Sequence, residues 1–149
     1  MNNVLITGGA GYIGSVLTKM LLDCGYKVTV LDNLVYKQTS LLHLCNNKDF
    51  TFIKGDVTDK IQLQALVASH DIIIPLAAVV GAPACDDNKD LATSINLHQI
   101  QNIVDILESN QKLIMPNTNS QYGSSKNIIT EESPFNPLSH YAKTKCEAE

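Results

Sequence analysis

The 149-residue sequence has no tryptophan, only 5% aromatic residues, and 11 lysines plus arginines against 15 aspartates plus glutamates. Each shortage excludes something. At a net charge of −4 the chain offers no cationic surface to a phosphate backbone, so no nucleic-acid partner is expected. No apolar run approaches the roughly 18 residues of a membrane helix, so no membrane partner is expected either. Met1-Asn2-Asn3 carries no lysine or arginine, and the apolar run after it is only strand-length. No secretory leader is read there, and the cytoplasm is the expected compartment. Cys24, Cys45, Cys85 and Cys146 lack C-x-x-C spacing, and His43, His70, His98 and His140 share no ligand spacing. Free thiols and no metal site follow. Asp86, Asp87 and Asp90 read as a solvated loop and the start of a helix. With no repeat, linker or low-complexity segment, residues 1–149 read as one domain, large enough to bury roughly 70% of the surface of its unfolded chain.

What is present is a glycine turn. Thr7-Gly8-Gly9-Ala10-Gly11-Tyr12-Ile13-Gly14 follows the apolar run Val4-Leu5-Ile6 and opens a segment of helical spacing. Strand, glycine turn and helix start form a dinucleotide-binding unit, in which N–H groups at the helix N-terminus receive a pyrophosphate. The glycines fit two frames, Gly9, Gly11, Gly14 or Gly8, Gly11, Gly14, and both supply a tight turn, close backbone approach and close helix packing. No Lys-Ser or Lys-Thr follows, which excludes a nucleoside-triphosphate loop. Tyr12 reads as a packing residue beside the pyrophosphate.

Val16, Leu17, Met20 and Leu21 give the first helix its apolar spacing, and Gly25 stops it. Lys27 to Leu31 is a β-branched strand that ends on Asp32-Asn33. Asp32 stands 18 residues beyond Gly14, near the spacing at which an acid meets the adenosine ribose hydroxyls. A carboxylate there repels a 2′-phosphate and favours NAD over NADP. Residues 36–48 carry little signal. Phe50 to Ile53 is a third strand leading into Gly55-Asp56-Val57-Thr58, where Thr58 or Asp59 caps a helix with Leu63, Leu66 and Val67. Asp71 to Ile74 is a fourth strand, running into Pro75-Leu76-Ala77-Ala78, whose small residues let a flat cofactor pass. A helix is expected from about Asp90 to Ser109, and a fifth strand at Lys112 to Met115. Strands alternating with helices give a parallel, doubly wound α/β sheet with its ligands at the carboxyl ends of the strands.

After the fifth strand, Thr118 can hydrogen-bond at a reacting carbon–oxygen bond. Tyr141 and Lys145 are four apart, on one helix face. A tyrosine base at pH 7 needs its pKa offset by about three units, or roughly 4 kcal/mol. A neighbouring ammonium and a cationic cofactor ring both act in that direction. This helix approaches the end of the sequence at Glu149 and is expected to fray.

Together these segments resemble the extended short-chain dehydrogenase/reductase superfamily, in its branch of NAD-dependent nucleotide-sugar epimerases and dehydratases. The resemblance implies a Rossmann-type fold and an NAD site formed by Gly8, Gly11, Tyr12, Ile13, Gly14, Asp32, Asn33, Asp56, Val57, Leu76, Ala77, Ala78, Asn96, Tyr141 and Lys145. It implies Tyr141 as general acid/base, Lys145 as the group that lowers its pKa and binds the nicotinamide ribose, and Thr118 as the orienting hydroxyl. It also implies a nucleotide-sugar substrate and, at full length, a homodimer. Pro75 departs from the family's usual histidine, and Gln99-Ile100 from its Gly-Thr. Asn119-Ser120 follows Thr118 where the 4,6-dehydratases carry Asp-Glu, which favours epimerase chemistry over elimination. Relatives run to about twice this length, so residues 1–149 read as the NAD-binding Rossmann domain without the substrate domain, inactive by itself. Dehydratase, simple NAD-dependent dehydrogenase and non-catalytic NAD-binding fragment remain the alternatives.

Overall fold

Five apolar segments of the sequence become parallel strands in the computed structural model, which describes residues 2–126 and 128–149. Strand β1 (Asn3–Thr7) pairs with β2 (Lys27–Asp32) on one side and β4 (Ile72–Pro75) on the other, so that Leu5 sits between Thr29 and Ile73. Strand β3 (Phe50–Lys54) lies outside β2, and β5 (Lys112–Leu113) outside β4. The order β3-β2-β1-β4-β5 is that of a doubly wound dinucleotide-binding sheet. Helices α1 (Tyr12–Asp23), α2 (Lys60–Ala68), α3 (Ala82–Asp87), α4 (Lys89–Thr93), α5 (Gln99–Val104) and α6 (His140–Ala148) complete the regular structure. Single turns of 3-10 type occupy Leu42–Leu44 and Asn119–Tyr122, and a π-helical turn occupies Ser94–His98.

The chain forms two compact units. The first comprises residues up to Ala77 with Asn102–Pro116, and the second Ala78–Gln101 with Asn117–Glu149. The first holds the whole sheet, whose alternating side chains fill both faces as a buried parallel sheet requires. Val4, Ile6, Val28, Val30 and Ile74 pack with Ala10, Leu22, Leu41 and Leu44. Leu5, Leu31 and Ile73 point the opposite way and are equally buried, as are Leu63, Val67 and Ile103. Asp59 caps α2 by accepting the Gln62 N–H at 3.0 Å.

Helix α1 turns inward a face that apolar spacing does not mark. Gly14, Thr18 and Leu22 are buried, whereas Val16 and Met20 are exposed. Small residues line the side on which the helix comes nearest the turn, and Leu17 and Leu21 flank it, partly buried.

The helix expected at 90–109 is shorter and interrupted. Asn88 starts it early by accepting the Leu91 N–H at 3.0 Å, the π-helical turn widens it, and it ends at Val104. Its end has a cause in the first unit: the Gln111 amide donates to Val67 O at 2.7 Å and His70 O at 2.6 Å, and accepts the Glu108 N–H at 2.8 Å. That tie fixes residues 108–111 as a turn, and β5, expected at Lys112 to Met115, keeps only Lys112–Leu113. Asp86 and Asp87, expected in a loop, end α3, which has Pro83 in its first turn, where a missing N–H costs nothing.

In the second unit, α6, the helix expected to fray, is capped and partly buried. Ser139 caps it through the Ala142 N–H at 3.1 Å, and Ala142, Thr144 and Lys145 are buried. No helix among the described residues is long and apolar enough to cross a membrane.

Candidate functional site

The glycine turn is shaped by two demands that a Cβ could not meet. Gly8 has φ +67°, and a Cβ on it would lie 2.5 Å from the Ala77 nitrogen. A Cβ on Gly14 would lie 2.5 Å from the Gly9 Cα, so α1 rests directly on the turn that precedes it. The turn hangs on β2 through Gly8 N–H to Leu31 O, 2.8 Å. Gly11 is the N-cap of α1 and has no side-chain oxygen to spend on the first N–H groups, which leaves them for an anion. Tyr12 and Ile13 project beside them, 93% and 61% exposed.

At the carboxyl end of β2, Asp32 is buried to 7% exposure. One oxygen accepts the Ala10 N–H at 3.0 Å, and the other accepts the Leu34 N–H at 2.8 Å and the Gln38 amide at 3.4 Å. A carboxylate has about four acceptor directions, so three donors leave one open. Leu34 and Lys37 follow with φ of 55° and 53°, strained values for residues with a Cβ.

Asn33 donates to Asp56 at 3.0 Å, and the other Asp56 oxygen accepts from the Thr58 N–H and hydroxyl at 2.9 and 2.8 Å. Burial raises the Asp56 pKa, but the bonds from Asn33 and Thr58 together outweigh it and hold the carboxyl below its usual range. Val57 beside it is buried. Leu76 and Ala77 close this side of the first unit: the Leu76 N–H reaches Thr7 O at 2.9 Å, and the Ala77 N–H reaches the Thr7 hydroxyl at 3.4 Å. Ala78 begins the second unit.

Within the second unit, Thr118 caps the Asn119–Tyr122 turn by accepting the Ser120 N–H at 3.2 Å, and that turn packs on α6. Asn119 and Ser120 border a cavity of about 480 Å³ with Tyr122, Thr130 and Glu131. Tyr141 and Lys145 lie one turn apart on α6. Lys145 is only 7% exposed, and its burial lowers its pKa. Asn96, in the π-helical turn, is 3% exposed with its amide bonded to Val79 and Thr144. Burial pushes the Cys85 thiol up, the bond from Asn96 opposes that, and the Asp86 charge adds to it. Cys85 donates to Val79 O at 3.2 Å and packs as a structural thiol.

Three participants had no signal in the sequence. Gln38 and Ser40 come from the featureless 36–48 stretch, yet one donates to Asp32 and the other to Ala10 O at 2.7 Å. Thr144 stands between Tyr141 and Lys145 with no motif to mark it. Only its buried position reveals it.

A parallel sheet in this order, a capless glycine turn at its centre and an acid ending the next strand define a dinucleotide-binding α/β protein of the Rossmann type. The chain belongs to the NAD dependent epimerase/dehydratase family, whose model matches residues 4–149. UDP-glucose 4-epimerase 2 of Oryza sativa subsp. japonica is 31% identical over 160 residues, covering 100% of this chain and 39% of that protein. The UDP-Glc/GlcNAc 4-epimerase of Campylobacter jejuni matches with a TM-score of 0.89 at 27% identity, over 99% of this chain and 47% of that one. The UDP-glucuronic acid 4-epimerase of Bacillus cereus, solved with UDP-glucuronic acid and NAD, matches with a TM-score of 0.87 at 27% identity, over 98% of this chain and 49% of that one. The chain thus spans less than half the length of these relatives.

Proposed function

We propose that this chain is the cofactor-binding and acid–base part of a nucleotide-sugar epimerase that acts in the cytoplasm. Bound NAD supplies a hydride acceptor and donor. The open N-terminus of α1 holds the diphosphate, and the remaining acceptor direction of Asp32 takes a ribose hydroxyl while its charge repels a 2′-phosphate. Asp56, fixed by Asn33 and Thr58, holds the adenine end. Tyr141 would take the proton of a sugar hydroxyl as the sugar is oxidised and give it back as the sugar is reduced. The Lys145 ammonium stabilises the phenolate, and Thr118 orients the reacting oxygen.

The observation that carries this reading is the burial of Lys145. A lysine is almost never buried without a reason in its surroundings, and this one follows Tyr141 by one helical turn. Asn119 and Ser120 at the cavity support epimerisation over elimination, because neither can serve as the acid that dehydration needs. The free cysteines fit a reducing compartment.

Two measurements test the reading. Titration of the 149-residue chain with NAD should show saturable binding; no binding at millimolar NAD overturns the cofactor assignment. Joining residues 1–149 to the carboxyl half of a relative and incubating with UDP-, GDP-, CDP- and dTDP-sugars should yield epimers. Tyr141→Phe should slow that turnover roughly 10²–10⁴-fold, and an undiminished rate sinks the acid–base assignment.

A further inference from the structure

Helix α6 is fastened along one face. His140 Nε2 lies 3.2 Å from Lys89 O and 3.0 Å from the Thr93 hydroxyl. A carbonyl can only accept, so Nε2 carries the hydrogen; the Thr93 hydroxyl sends its own to Lys89 O at 2.8 Å. One turn later, Thr144 makes the second attachment. Its hydroxyl donates to Tyr141 O at 2.9 Å and accepts from Asn96 Nδ2 at 3.3 Å.

Asn96 is itself immobilised. Its Oδ1 accepts the Val79 N–H at 2.9 Å, and its Nδ2 donates to Val79 O at 3.0 Å. Val79 therefore fixes which way the amide points, because the reverse orientation would set donor against donor and acceptor against acceptor. The remaining Nδ2 hydrogen is shared between Thr144 Oγ1 at 3.3 Å and Cys85 Sγ at 3.9 Å. The bonds run in one direction, from the backbone of Val79 through Asn96 and Thr144 to the carbonyl of Tyr141.

His140 and Thr144 are each one residue before Tyr141 and Lys145, so the fastened face and the reactive face differ by about 100° of rotation. Whatever sets the rotation and height of the first sets those of the second. We propose that Thr144 is a positioning residue for the Tyr141–Lys145 pair, holding α6 in rotation and height through Asn96 on one side and the Tyr141 carbonyl on the other. The proposal rests on the reading of that pair as the acid–base machinery. A displacement of about 1 Å at such a pair can cost about 10² in rate. Asn96 sits in the π-helical turn, a distortion often kept at functional sites.

The test uses the 149-residue chain with ¹³C-labelled lysine, reading the Lys145 titration and the hydrogen exchange of α6. Thr144→Val keeps the shape, deletes the hydroxyl and leaves that Asn96 hydrogen only the long contact to Cys85 Sγ. It should speed exchange of the α6 amides roughly tenfold or more, the scale of one lost buried hydrogen bond. It should also move the Lys145 titration up toward the ordinary lysine value as burial is lost, with the sheet amides unchanged. Thr144→Ser keeps the hydroxyl and should restore both. If Thr144→Val does not fold, Thr144→Cys, with similar volume and weaker bonds, is read the same way. A folded variant whose α6 exchange and Lys145 titration match the wild type overturns the proposal. Full turnover by Tyr141→Phe in the joined protein would remove the catalytic pair yet leave these shifts standing, so the two failures are separable.

Discussion

Asp32 and Ala10 are joined across 22 residues by one hydrogen bond, from the Ala10 N–H to a carboxylate oxygen at 3.0 Å. The acid that ends β2 thereby holds the glycine turn at the end of β1.

Asp32→Asn should therefore act twice. The amide can turn its one oxygen to the Ala10 N–H or to the Leu34 N–H but not to both, so one backbone donor is left unsatisfied at a cost of about 1–3 kcal/mol in stability. The preference for NAD over NADP should also shrink, because the repulsive charge is gone. Urea unfolding reads the first effect and paired titrations the second. Equal NAD and NADP affinities in the wild type would sink the ribose role and leave the structural one.

Gly8→Ala should be among the most damaging small substitutions. A Cβ at φ +67° is strained and would lie 2.5 Å from the Ala77 nitrogen. Strain and overpacking together should cost about 2–6 kcal/mol. The urea midpoint checks this, and an unchanged midpoint means that the turn can shift without penalty.

Asp56 should make the fold acid-sensitive. Its folded pKa lies below the unfolded value, so the unfolded chain binds more protons in the interval between them. The stabilisation is fully present above about 3.9 and is lost as pH falls through the lowered folded value. Asp56→Asn should lower stability at neutral pH and flatten this acid limb. Unfolding midpoints for both proteins between neutral and acid pH decide it.

Lys145 should act in the same direction at the alkaline end, through relief of a burial penalty. Its folded pKa is lowered by burial, so between that value and about 10.4 the unfolded chain again binds more protons, and stability rises with pH. Lys145→Met should remove the rise. If the pair acts as proposed, turnover of the joined protein should show a basic limb below the ordinary lysine value, and a limb at or above it would overturn the role given to Lys145.

The first strand, the glycine turn and Asp32 at the end of β2 were legible because each rests on short-range demands: an apolar run, a turn with no room for a Cβ, and fixed spacing. The inward face of α1 was not. Gly14 and Thr18 are buried because the helix comes close to the turn, and hydropathy scores such residues below exposed Val16 and Met20. The end of the long helix depended on Gln111 reaching Val67 and His70, more than 40 residues away. Tyr141 and Lys145 could be placed on one helix from their spacing, but what fastens that helix lay in Asn96 and Thr144, 48 residues apart. Local chemistry marks where a group sits; the contacts that hold it are set by the fold.

The seat of Gly8 against Ala77 also imposes an order on biosynthesis. Strand β1 lies in the middle of the sheet, yet its partner β4 ends at Pro75, and the backbone that Gly8 rests on is made later still. While the intervening segment is translated, at roughly 5–20 residues per second, β1 has β2 on one edge and nothing on the other. The phosphate turn then has no wall. A nascent chain released before residue 77 would hold every glycine of the turn and still lack the backbone on which Gly8 rests.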